Sequence, residues 1–147
     1  MAKAFDFRLE KLLDLRRRKE EAARRDVAAA NQAVAGKNQA ILELMSEEDA
    51  AKDQMREAQQ GTIDVDRLRR AGEYAATLER RLQREYLALQ DLVKVEMEKR
   101  TLLAEAHKGV RVLERFRDRK VQLHQLDLDR EERRFLDEIG RNLAKGA

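Results

Sequence analysis

The side chains able to do chemistry in this 147-residue chain are few and scattered. His107 and His124 are the only histidines, far apart, on a chain without cysteine. A metal site or a general base needs further ligands or an orienting group at facing helical spacing, and neither histidine has them. Both are read as solvated or seam-edge side chains. The carboxylate pairs Glu20–Glu21 and Glu131–Glu132 are adjacent, so on a helix their members point in different directions. They serve as solvated groups or as partners of arginines three or four residues away. The six glycines are dispersed, which excludes a phosphate-cradling loop. No catalytic residue, metal ligand or cofactor site is therefore expected, and the chain is not expected to be an enzyme. What is concentrated is positive charge. The stretch "FRLEKLLDLRRRKEEAARRD" (7–26) carries Arg16, Arg17, Arg18 and Lys19 in a row, then Arg24 and Arg25.

The elements that position this charge follow from composition. Charged residues make up 41% of the chain and aromatics 4%, with no Pro, Trp or Cys. So few large apolar side chains cannot fill a wide core. Dominance of Ala, Glu, Lys, Leu and Arg at helical periodicity signals a long helix or coiled coil. Wholesale disorder is disfavoured by a net charge of only +3, interleaved signs and regular apolar positions. No apolar run approaches the ~20 residues that span a bilayer. Asp6, Arg8 and Glu10 interrupt any signal-peptide core in "MAKAFDFRLE". A cytosolic location without direct membrane insertion is expected.

The apolar repeat is close to seven. In the first half one series is Leu13, Glu20, Val27, Val34, Ile41, Glu48 and Met55. Its companion is Leu9, Arg16, Ala23, Ala30, Lys37, Leu44, Ala51 and Ala58. In the second half the series are Leu68, Ala75, Leu82, Leu89, Glu96, Leu103, Val110 and Ala71, Leu78, Glu85, Leu92, Lys99, Ala106, Leu113. These are apolar seams whose many alanines let two helices approach closely. The phase slips near Phe116 and resumes as Val121, Leu128 and Phe135, with Ile139 beside it, and such a stutter often marks a change of partner.

The break lies at "AQQGTIDVDRL". Gly61 suits a helix end, Ile63 and Val65 lower helix preference, and Asp66 or Asp64 is placed to cap the next helix. The expectation is one coiled-coil domain over 1–147: helix 1 over about 5–58, a turn over about 59–65, helix 2 over about 66–143. A short connection makes the helices antiparallel neighbours. The fold class is thus all-α, a two-helix antiparallel coiled coil or helical hairpin with an overhanging C-terminal helix. Folding at Ile63 brings Leu44 near Leu82, Val27 near the seam around Glu96 and Lys99, and Leu13 near Val110 and Leu113. Helix 1 would be about 80 Å long and helix 2 about 115–120 Å. Residues after about Val121 then have no counterpart in helix 1, yet keep a stripe of Leu123, Leu126, Leu128, Phe135 and Ile139 that wants a partner. With Arg130, Arg133 and Arg134 taken as its flanks, that partner is expected to be apolar with an acidic rim.

The basic run has three readings. Beside a heptad repeat it has the layout of a basic-zipper arm for DNA. Glu20 and Glu21 interrupt it, however, and a matching second helix favours intramolecular pairing. A membrane-surface helix needs large apolar residues opposite the arginines, and after Leu15 only Ala22, Ala23 and Val27 stand there. The third reading is protein docking. Residues 43–58 have six acidic and two basic side chains, while Arg16–Lys19 would face Arg115, Arg117, Arg119 and Lys120. One basic end suits a partner with an acidic mouth. A generic coiled-coil scaffold or basic nucleic-acid-associated dimer stays as the alternative.

Three stretches resemble the flagellar FliJ family: "FRLEKLLDLRRRKEEAAR" at the start, "YAATLERRLQ" early in helix 2, and "LERFRDRKVQLHQLDLDREERRFLDEI" near the end. The Phe-x-Leu-Glu-x-Leu-Leu signature and the late Asp137-Glu138 carry most of the likeness, which covers nearly the whole chain. The resemblance implies a coiled-coil component of bacterial flagellar type III protein export, cytoplasmic and peripheral to the inner-membrane export apparatus. It would insert its terminal end into the ring of the export ATPase FliI, as the central stalk of a rotary ATPase does, and contact the export gate protein FlhA. Export chaperones are further implied partners; nucleic acid is not. Carried over by position, the ATPase-binding residues would be Leu9, Leu12, Arg16, Arg17, Arg130, Arg133, Phe135 and Asp137. The gate-binding residues would be Leu44, Tyr74 and Leu78, Leu78 reading equally as a seam residue. Where the family often has further aromatics on helix 1, this chain has Glu47 and Glu48.

Overall fold

The computed structural model describes residues 3–146. Their regular elements are two α-helices, α1 (Glu10–Ala58) and α2 (Val65–Lys145). The two pack against each other in antiparallel order, so the chain is an all-α helical hairpin. α2 runs unbroken through Gly72 and Gly109, although each glycine costs a helix interior about 1 kcal/mol.

The connection is built as its residues dictate. Gly61 has φ 71°, the left-handed conformation that lets the chain leave α1 without a Cβ clash. Asp64 is the cap of α2. Its Oδ1 accepts the N–H of Asp66 at 3.1 Å and of Arg67 at 3.4 Å, and its carbonyl accepts the N–H of Leu68 at 3.0 Å. Two of the donors that a helix start leaves orphaned are thereby satisfied.

Contacts divide the described residues into two compact units, each holding part of both helices. One is Ala23–Leu103; the other joins the residues up to Ala22 to those from Ala104 onward. The core of Ala23–Leu103 is aliphatic: Ile41, Leu44, Ala51, Leu78 and Leu82, with Ala75 and Leu89 packed against it. Lys37 Nζ lies 2.7 Å from Glu85 Oε2, both at seam positions. A slip of one heptad would set Lys37 against Leu78 or Leu92, so the ion pair favours one register at some cost in stability. On the outer edge Glu48 accepts a hydrogen bond from Lys52 at 2.9 Å. That bond, with the carboxylate's charge, raises the ammonium's pKa above its ordinary value.

In the second unit Leu13 is fully buried among Phe7, Val110 and Leu113, with Phe5 and Leu9 against the cluster. Of the three pairings expected from the fold point, Leu44 with Leu82 and Leu13 with Val110 and Leu113 are present. Every position of the four heptad series is buried or half-buried. One boundary differs. α1 begins at Glu10 rather than near residue 5, and residues 3–7 are not helical. The cause is packing: Phe7 and Phe5 cover α2 from a non-helical lead-in. That lead-in closes on the helix through the Phe7 carbonyl, which accepts the Glu10 N–H at 3.0 Å.

Candidate protein-docking surface

The lead-in segment and the start of α1 form a tightly tied end on α2. The Phe7 ring meets Phe116 at 5.9 Å, Phe5 meets His124 at 5.8 Å, and the two phenylalanines stack at 6.5 Å. The Arg117 guanidinium sits 5.4 Å above Phe5 and donates from Nε to Glu10 Oε2 at 3.0 Å. Such a cluster combines apolar burial with edge, face and cation–π contacts. The segment therefore covers α2 as far as His124, and the unpartnered stretch starts later than Val121. Leu128 is half-buried, and every residue from 129 to 146 is exposed. Sequence reasoning missed this strap. Its signal was the spacing of Phe5 and Phe7, two apart, which suits an extended segment and not a helical stripe.

The residues implied to meet the ATPase divide into two groups. Leu9 packs on the Leu13 cluster, and Leu12 is partly exposed. Arg16 donates to the Gly109 carbonyl at 3.0 Å, and Arg17 lies 3.6 Å from Glu114. These arginines tie α1 to α2. Arg130, Arg133, Phe135 and Asp137 all lie on the exposed part of α2, with Arg130 4.0 Å from Asp127. Of the implied gate-facing residues, Leu44 and Leu78 share the aliphatic core, Leu78 at 2% exposure, and only Tyr74 offers its ring to solvent.

The geometry corrects the expected flanks of the C-terminal stripe. α2 is a continuous helix there, so direction follows from ~100° per residue. Glu131, Glu132 and Glu138 then lie within ~70° of the face carrying Leu128 and Phe135, while Arg130, Arg133 and Arg141 lie ~130–150° away. The apolar stripe is rimmed by carboxylates; three of the four arginines of this stretch stand on the far side of the helix. Arg134, at ~110°, sits between the two faces. The stripe is thus bordered by carboxylates, where the sequence reading had arginines.

The histidines also find structural places. His107 Nδ1 is 3.2 Å from Glu20 Oε1 at the seam edge, and His124 packs on Phe5. Among the described residues no group of three or more His, Asp or Glu is arranged to hold a metal ion. No described helix is long and apolar enough to cross a membrane.

Two long helices with a heptad seam, one tied aromatic end and a bare helical extension define a coiled-coil hairpin. The family model of the flagellar FliJ protein matches residues 5–146, and the chain belongs to that family. Membership associates it with flagellar export, in a family that is non-enzymatic. No curated protein and no solved structure matches the chain.

Proposed function

We propose that this chain is a non-catalytic, cytoplasmic stalk of the flagellar type III export machinery, working at the inner membrane without entering it. The extension of α2 and the adjacent start of α1 enter the ring of the export ATPase FliI. The chain also links that ATPase to the export gate protein FlhA and serves export chaperones. The observation that carries the reading is the bare extension. α2 continues helically to Lys145 with Phe135, Leu136, Ile139 and Leu143 in solvent. Each such side chain gains about 1.5–3 kcal/mol when fully buried.

A ring suits this extension because it surrounds a helix and meets all its faces. The stripe requires apolar, basic-rimmed wall; Arg130, Arg133 and Arg141 require carboxylates opposite. Gate contact is assigned to the surface around Tyr74. Leu44 and Leu78 act there by holding the seam that presents the ring.

The test is titration of the export ATPase with the full chain. Phe135→Ala is expected to weaken binding by about 2 kcal/mol, as loss of a buried aromatic anchor does. If Phe135→Ala binds as wild type does while Tyr74→Ala abolishes binding, the orientation is reversed.

A further inference from the structure

The outer face of α1 near its start complements the extension of α2. Leu15 is 55% exposed on the side of α1 turned away from the buried Leu13, and Leu12, 38% exposed, lies on the flank beside it. Lys11, Arg18 and Lys19 rim them, and none has an ion-pair partner among the described residues. The extension offers the inverse, an exposed Phe135 rimmed by Glu131, Glu132 and Glu138, likewise unpaired among the described residues.

The spacings match as well as the signs. Lys11, Leu15 and Arg18 stand at i, i+4 and i+7, and so do Glu131, Phe135 and Glu138. In both helices the two charges are ~10 Å apart on the same side of the apolar residue. Charges on the same side of their own helices face each other when two helices run antiparallel, as the flanking positions of a coiled coil do.

We infer that the extension of one copy docks antiparallel on the outer face of α1 in a second copy, with Phe135 beside Leu15, Glu138 opposite Lys11 and Glu131 opposite Arg18. The same chain cannot make this contact. Its α2 is one continuous helix through the extension, with no turn to fold it back, and the receiving face of its α1 points away from α2. Pairing two extensions would oppose carboxylates, and pairing two α1 faces would oppose cations, so only the mixed contact satisfies both rims. The inference goes beyond the stalk reading and does not depend on it, because no ATPase takes part.

Sedimentation of the full chain tests it. At low salt the average mass of wild type is expected to rise above 17.1 kDa as concentration climbs from about 1 to 100 µM, the regime of micromolar contacts. Added salt should reverse the rise. Glu131→Lys/Glu138→Lys and Lys11→Glu/Arg18→Glu should each remain at monomer mass when alone. Mixed in equal amounts they should associate again, since each then meets the opposite sign. A wild type that stays monomeric throughout overturns the inference. So does association that persists in either variant alone, or a mixture that fails to associate.

Discussion

Two stretches of α2 carry the same kind of apolar stripe in different surroundings. In the earlier stretch Leu78, Leu82, Val110 and Leu113 are each at most 6% exposed, packed against Ile41, Leu44 or Leu13 of α1. In the later one Phe135, Leu136 and Leu143 are each more than half exposed, and no described residue covers them. The helix does not notice the difference: it stays continuous, because propagation from an established helix costs far less than nucleation. A heptad stripe therefore reports a demand for burial and not who supplies it. In the covered stretch the chain answers that demand and gains stability. In the bare stretch the demand is left unanswered by the described residues.

The comparison is broken most directly by truncating one residue in each stretch. Leu13→Ala empties the best-buried position of the terminal cluster and should cost about 3 kcal/mol in urea or thermal unfolding, within the usual range for buried leucines. Phe135→Ala should change the same unfolding free energy by less than about 0.5 kcal/mol. Equal losses would mean that the extension is packed in the free protein. Phe7→Ala probes the strap between the two regimes and should cost about 2 kcal/mol, within the range gained by burying a phenylalanine side chain. It should also expose His124 and Phe116 to solvent, readable as faster amide exchange around residues 116–124. Asp64→Ala removes the cap of α2 and should cost about 1 kcal/mol, with no effect on ATPase binding. Arg18→Ala is the mildest change. It should alter the rate and salt dependence of ATPase association more than the affinity.

Much of the fold was legible from residue spacing. Each position the heptad series named from Leu9 to Ala58 and from Leu68 to Leu113 is buried or half-buried, because a narrow two-helix interface leaves one stripe per helix and no competing core. Gly61 and the two aspartates placed the turn, though only the structure chose Asp64 over Asp66. Two features escaped. The lead-in through Phe5 and Phe7 was read as helix, because helical periodicity downstream was extended through residues whose own spacing is two. The rim of the extension was misassigned because nearness in sequence was taken for nearness on the helix surface. Arg133 neighbours Phe135 in the chain but stands on nearly the opposite face. Docking residues were the least legible. Leu44 and Leu78 carry apolar side chains that serve a seam and an interface equally well, and only burial separates the two uses.

The central claim is that the bare extension of α2 is where the export ATPase binds. Amide hydrogen exchange of the chain, free at low micromolar concentration and then with the ATPase in excess, tests this along every residue at once. The predicted result is fast exchange over residues 129–145 in the free protein, strong protection there on adding the ATPase, and little change around Ile41, Leu44, Leu78 and Leu82. Protection that appears around Tyr74 and leaves residues 129–145 exchanging as before would contradict it.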